Sequence, residues 1–356
     1  HTEYTSGEIA MELTIGGSDV TQLAASITTA GSEKECARTL TANIVQSPTD
    51  PNIPTVAISV GDAVIFEADG QVFAGIVTSV SRSTASNEIT VTAKDFGIYL
   101  KRNKIVQKIK RMTAEAAAAA ICGQYGIGVG SIAPTGYTFD RYFMGVTLYD
   151  AIMTGYALAA AQNGSAYMLR MRGGAVEIIE KGATLAGVVE EGANLMEASY
   201  SETGDSIVSQ VAIYDKKGNL KQTVTGDTTL GVMQDIIVES STRAESIAAA
   251  EELIRKNSLK RSGTVTNLGN ANCIAGNSVL IRESFTGLYG KFFISADSHT
   301  WKNGVYTNKL TLAWEATMDA TAAGKALASS KSTKKTAVKN TGTWAYKYNV
   351  DGSVRE

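Results

Sequence analysis

The sequence predicts a mainly β protein with an α+β insert: two related, tube-like β-barrel domains separated by a small α+β domain, then a flexible C-terminal extension. Three observations predict it. Short runs of alternating apolar residues are punctuated by glycine, with 34 Gly against 4 Pro, as suits many strand ends and tight turns. One order of strands and turns occurs twice. Between the two copies the apolar period changes from two residues to that of a helix.

The repeat is read directly. The first copy runs Gly61-Asp62-Ala63-Val64-Ile65-Phe66, then Asp69-Gly70 and Val72-Phe73-Ala74-Gly75-Ile76-Val77, then Glu88 to Ala93. The second runs Gly276-Asn277-Ser278-Val279-Leu280-Ile281, then Thr286-Gly287 and Tyr289-Gly290-Lys291-Phe292-Phe293, then Lys309 to Ala313. Gly61 to Gly276 and Gly75 to Gly290 are the same shift of 215 residues. Glycines inside strands mark bulges or barrel bends. A period this long implies a duplicated domain rather than a solenoid.

In order along the chain, Glu8 to Ile15 alternates, with Ile9, Met11, Leu13 and Ile15 on one side, and predicts a half-buried strand. Gly16 to Asp19 is a turn, Val20 to Thr28 a second strand, Ala30 to Lys34 a polar loop and Arg38 to Val45 a third strand. Pro48 to Pro54 breaks the pattern before the Gly61 copy. Together these supply enough strands for a small barrel.

Asp95 to Asn103 leaves the barrel. Thr113 caps an Ala-rich helix ending at Gly123. Gly126, Gly128 and Gly130 form a turning loop toward Pro134. Thr147 to Gln162 is a second helix, stopped by Asn163-Gly164. Tyr167–Arg172 and Ala175–Glu180 form a hairpin around Gly173-Gly174. The β pattern returns with Leu195–Glu202, Ser206–Tyr214 and, past the Lys216 to Asn219 turn, Lys221–Thr225. Thr242 to Asn257 is an amphipathic helix with Ile247, Ala250, Leu253 and Ile254 as its stripe, expected against the second barrel. Gly263–Leu268 and the Gly276 copy complete that domain near Trp314. From Thr317 an Ala, Thr, Ser and Lys composition predicts a linker, and Trp344, Tyr346 and Tyr348 a short docking strand. The expected boundaries are 1–100, 101–192, 193–316 and 317–356.

Composition narrows function. Apolar content of 44% with 19% charge fits a folded chain. A net charge of −2 gives no general attraction to nucleic acid or anionic lipid. No run of about 18 apolar residues predicts a membrane span. No secretory signal is visible, and His1-Thr2 without an initiator Met reads as a trimmed start. Cys36, Cys122 and Cys273 are odd in number and far apart, so small semi-buried apolar roles and a reducing compartment are expected.

Catalytic chemistry is poorly provided for. His1 and His299 are the two histidines, too few for a metal cluster. His299 follows Asp297, yet no nucleophile accompanies the pair, so a hydrogen-bonded histidine near a turn is expected. Glu251-Glu252 reads as solvated, because adjacent helix positions do not face each other, and Glu190-Glu191 as solvated surface in a loop beside Gly192. The Gly126 loop lacks phosphate-loop spacing. The basic run Lys101, Arg102, Lys104, Lys108, Lys110 and Arg111 reads as a solvated connector or an inter-subunit face, since no aromatic residue interleaves for base stacking. No catalytic, cofactor-binding or metal-binding residue is nominated, and no cofactor is expected.

Two signatures carry a resemblance. One is Val60-Gly61-Asp62 with Asp69-Gly70, Phe73-Ala74-Gly75, Ala93-Lys94-Asp95, Tyr99-Leu100 and Asn103. The other is Tyr289 to Trp301 with Gly304-Val305-Tyr306-Thr307 and Leu310-Thr311-Leu312. Over most of 8–315 the chain resembles phage tail baseplate hub proteins of the XkdQ-like family, related to the central hubs of large contractile-tailed phages and to the late-control protein D family. The resemblance implies a structural, non-enzymatic virion component or part of a phage-like bacteriocin particle, assembled in the host cytoplasm. It also implies a homotrimer whose paired barrels form a pseudo-sixfold ring between a hexameric tail tube protein and a trimeric central spike protein. Wedge or tape-measure proteins would be further partners, without specific nucleic acid. The competing readings are a hub-associated cell-wall-degrading enzyme and a carbohydrate-binding β-protein using Trp301, Trp344, Tyr346 and Tyr348.

Overall fold

The computed structural model describes residues 11–47, 50–83, 87–318, 321 and 323–326. The N-terminal strands are β1 (Glu12–Ile15), β2 (Ser18–Asp19), β3 (Ala24–Ser32), β4 (Glu35–Val45), β5 (Ala63–Ala68), β6 (Gln71–Arg82) and β7 (Glu88–Asp95). The second strand starts later than its sequence suggested, because Thr21–Leu23 forms one 3-10 turn first. The Asp19 carboxylate accepts from the Thr21 N–H at 2.9 Å and favours that turn over extension.

The middle block holds α1 (Gly97–Arg102), β8 (Lys104–Thr113), α2 (Ala114–Gln124), β9 (Gly128–Ile132), β10 (Thr138–Thr147), α3 (Leu148–Asn163), β11 (Tyr167–Arg172) and β12 (Ala175–Glu180). The expected cap at Thr113 forms, and Thr147 caps α3 in the same way. The Thr113 hydroxyl accepts from the Ala116 N–H at 3.3 Å. The Thr147 hydroxyl accepts from the Asp150 N–H at 3.0 Å, and Gly164 ends α3 at φ 75°. The basic run is not a connector: it is largely β8, which places Ile105 and Ile109 in the core while its lysines face out. The Gly126 loop is likewise half strand, since β9 pairs in parallel with β12. α2 and α3 pack with Phe139, Phe143, Leu169 and Val176 into one apolar core.

The C-terminal part has β13 (Leu185–Glu190), β14 (Leu195–Thr203), β15 (Gln210–Tyr214), β16 (Leu220–Thr225), β17 (Gln234–Val238), α4 (Arg243–Lys256), β18 (Lys260–Leu268), β19 (Ser278–Arg282), β20 (Tyr289–Lys302), β21 (Val305–Ala313) and β22 (Lys325–Ala326). α4 departs from its expected position. Its Ile247, Ala250, Leu253 and Ile254 pack on Val211, Ile213 and Ile237, so it covers a separate sheet, β16-β15-β17. This small unit is inserted between β14 and β18.

A single sheet of thirteen strands runs through both ends of the chain, in the order β14-β18-β21-β20-β3-β4-β7-β6-β5-β1-β2, with β13 and β19 branching from β20. The junction is β20 against β3, from Ala296↔Ser32 to Lys302↔Ser26. This path is open, and no closed barrel forms among the described strands. Past Thr317 the described residues contact the middle block. Ala323 N–H donates to the Thr154 hydroxyl at 3.0 Å, and β22 pairs with Arg141 and Tyr142 of β10. The aromatic segment at Trp344 lies outside the described residues.

The repeated stretch keeps its geometry. Gly61 and Gly276 both have positive φ, 99° and 89°. In each copy the next residue's N–H donates to a carbonyl three residues back: Asp62 to Ser59 at 3.2 Å, and Asn277 to Ile274 at 3.1 Å. Gly61 N–H donates to the Val77 carbonyl and Val77 N–H to the Asp62 carbonyl, at 2.9 and 2.8 Å. Gly276 and Ile294, with the Asn277 carbonyl, repeat both bonds at 2.9 Å. A bulge then follows at Val77/Ser79 and at Ile294/Ala296. Gly75 and Gly290 differ. A Cβ on Gly75 would lie 2.2 Å from the Lys94 carbonyl, while Gly290 is open at φ 130°.

Candidate functional site

A cluster of buried polar and charged side chains lies where β20 meets β3 and β4. Alternation along β20 sends Asp297, His299 and Trp301 to one face, and all three are buried. Arg38, on β4, reaches across to Asp297. Its Nη1 donates to Oδ1 at 3.1 Å and its Nη2 pairs with Oδ2. Gly31 leaves the space, since a Cβ there would lie 2.3 Å from Arg38 Nη1. The Ala275 N–H also donates to Asp297 Oδ1, at 2.7 Å. Burial alone would raise the Asp297 carboxyl. Arg38, with help from His299, more than offsets that and holds it well below the usual range.

His299 is a strand residue, four positions before the turn at Asn303. Asn308 Nδ2 donates to its Nδ1 at 2.7 Å, and the Tyr306 hydroxyl sits at the same distance. Asn308 Nδ2 can only donate, so Nδ1 accepts. The proton then belongs on Nε2, which lies 3.2 Å from Asp297 Oδ2. The imidazole is thereby an orienting link between β20 and β21.

Trp301 extends the seam into the N-terminal core. It stacks on Tyr306 with centroids 4.5 Å apart and meets Phe66 edge-on at 4.9 Å. Its Nε1 donates to Asp69 Oδ2 at 2.9 Å, in the turn between β5 and β6. Beside it, Gln71 Nε2 donates to the Ala271 carbonyl at 2.7 Å. The middle block is tied in by two more cations. Lys181 Nζ meets Glu33 Oε2 at 2.9 Å and donates to the Thr317 carbonyl at 2.7 Å. Arg170 Nε meets Glu177 at 2.6 Å, and its Nη1 donates to the Ala275 carbonyl at 2.9 Å.

This arrangement is built to hold two sheet halves together. Asp297 and His299 are enclosed, Tyr306 is half-buried, and two surface clefts lie elsewhere. One, of about 460 Å³, is lined by Phe96, Tyr99, Tyr125 and the Gly126–Gly128 turn. The other, of about 330 Å³, lies beside Ala160 and Met318. Among the described residues no three His, Cys, Asp or Glu side chains could hold a metal. Glu252 pairs with Arg255 and Lys256, and Glu190 with Arg282. All three cysteines are free and buried, with Cys36 and Cys273 pushed up to about 12 and Cys122 to about 11 by burial. Trp301 is packed away from solvent and is not a sugar platform. The Arg38 partnership escaped the sequence reading. Its local signal was the Asp297-x-His299-x-Trp301 spacing, which puts polar groups on a strand's inward face.

A family model described as YQBQ-like matches residues 27–313. The chain belongs to the YQBQ-like family. It is 25% identical over 295 residues to YqbQ of Bacillus subtilis strain 168, covering 79% of this chain and 89% of that protein. It is 23% identical over 309 residues to the PBSX phage-like element protein XkdQ of the same organism, covering 83% and 94%. The resemblance read from the sequence is therefore borne out. In fold the chain is similar to the 43 kDa tail protein of prophage MuSo2 from Shewanella oneidensis, with TM-score 0.64, 18% identity, and 85% and 97% of the two chains covered. It is also similar to a tail protein from Neisseria meningitidis, with TM-score 0.59, 15% identity and 86% and 96% covered. The fold is that of these phage tail proteins. Among the described residues no helix is long and apolar enough to cross a membrane.

Proposed function

We propose that the chain is the structural hub of a phage or phage-like baseplate. Three copies form a ring, and each supplies two related modules, so the ring presents six near-equivalent units to a hexameric tail tube and threefold symmetry to a spike. The observation that carries this is the repeated turn, with three backbone hydrogen bonds and a bulge recurring in both halves. The strand order supports it: β3-β4-β7-β6-β5-β1 in one half matches β14-β18-β21-β20-β19-β13 in the other. One chain with two copies of a module is what a threefold-to-sixfold adaptor requires. In this reading the domains are 1–100, 101–192, 193–316 and 317–356, with 204–259 an insert in the third.

The reading is of a non-enzymatic protein located in the tail. Mass photometry of the purified chain tests the assembly and should show a trimer. A persistent monomer or a dimer contradicts it. A zymogram on peptidoglycan should show no cleared band, and a cleared band would reassign the chain as a cell-wall enzyme.

A further inference from the structure

Two exposed strips of the molecule are opposite in charge and alike in shape. The first is the outer surface of β8 and β10. β8 is an edge strand of the sheet β22-β10-β8. Residues 101–111 hold six cations and no acid. Lys104, Lys108 and Lys110 are exposed and have no ion-pair partner among the described residues. Between them stand Val106, 66% exposed, and Met144, 71% exposed.

The second strip is β17 with its approach. β17 is an edge strand of the sheet β16-β15-β17. Residues 226–239 hold three acids, Asp227, Asp235 and Glu239, and no cation. Asp235 and Glu239 make no ion pair among the described residues, and Val232, Ile236 and Val238 are each more than 60% exposed. Open apolar edge strands invite pairing unless something covers them.

We infer that the occupant of each strip is a second copy of this chain: the β17 strip of one copy seats on the β8–β10 surface of the next. Charge decides the arrangement. Basic strip on basic strip repels, as does acidic on acidic, so a twofold contact of like surfaces is disfavoured. Acidic on basic is a head-to-tail contact, which closes into a ring where the rotation between copies closes. The exposed apolar residues supply the contact core, with the charges around it setting register and partner. The contact rests on the ring reading above and assigns its surfaces.

Sedimentation velocity on the full chain tests it. Lys104→Glu with Lys108→Glu and Lys110→Glu should weaken trimer formation at least 100-fold, with the far-UV circular dichroism spectrum unchanged because the sites are exposed. Asp235→Lys with Glu239→Lys should do the same. All five together should restore the trimer. A triple variant that remains trimeric overturns this contact while leaving the ring reading intact. Single sets that dissociate without rescue in the combination also overturn the pairing. A wild-type chain that stays monomeric defeats the contact and the ring reading together.

Discussion

The two halves of the long sheet share an order of six strands but spend it differently. In the N-terminal half β1 lies antiparallel to β5, and β3 and β4 are joined by a tight hairpin. In the C-terminal half β13 lies parallel to β19, and 204–259 fills the place of that hairpin. The N-terminal core is apolar, and it receives Trp301 from the other half. The C-terminal half buries Asn267, Asn277, Asp297, His299 and Asn308. The topological counterpart of Asp297 is Val80, since Val77 matches Ile294 at the shared bulge. One copy has kept an ordinary strand there, and the other has become the clamp that binds its twin.

The largest test of that contrast is Trp301→Ala. It empties part of the N-terminal core from a residue on a C-terminal strand, and should cost about 3–5 kcal/mol in urea unfolding. Trp314, which packs within its own half against Tyr200 and Phe292, should cost less when changed to Ala. Next comes Asp297→Ala, which strands the buried Arg38 guanidinium and should cost about 3 kcal/mol. Val80→Ala, at the matching place, should cost about 1 kcal/mol by the same measurement.

A third test uses Asp95, whose carboxyl burial pushes up to about 6, despite N–H bonds from Arg38 and Gly97. The folded value lies above the unfolded one, 3.8. The fold therefore favours the neutral acid. That stability is full below about pH 3.8 and is lost as pH rises through about 6. Between pH 4 and 7 the wild type should lose on the order of 2 kcal/mol relative to Asp95→Asn. Asp297, held low, has the opposite sign: its stability is present above 3.8 and is lost only in strong acid. The smallest effect separates the paired glycines. Gly61→Ala meets no neighbour and should cost about 1 kcal/mol of left-handed strain. Gly276→Ala should cost more, because its Cβ would lie 2.8 Å from Ile179 Cδ1 and 2.9 Å from Met168 Sδ.

Much of this was legible. The hairpin around Gly173-Gly174, the cap at Thr113 and the Gly61/Gly276 repeat are all local patterns with local causes. β8 was hidden because lysines on its outer face masked the period-two placement of Ile105 and Ile109. β9 was hidden because its glycines pair through the backbone alone. The seam could not be read at all: Arg38 and Asp297 are 259 residues apart, and nothing beside either names the other.

In the proposed assembly one chain carries two versions of one module, so that three chains make a pseudo-sixfold ring. Electron-microscopy class averages of the purified protein, viewed down the axis, test it most directly. The account predicts six similar lobes around a channel, alternating in detail with threefold symmetry. Particles with twofold symmetry, or single compact particles at every concentration, would contradict it.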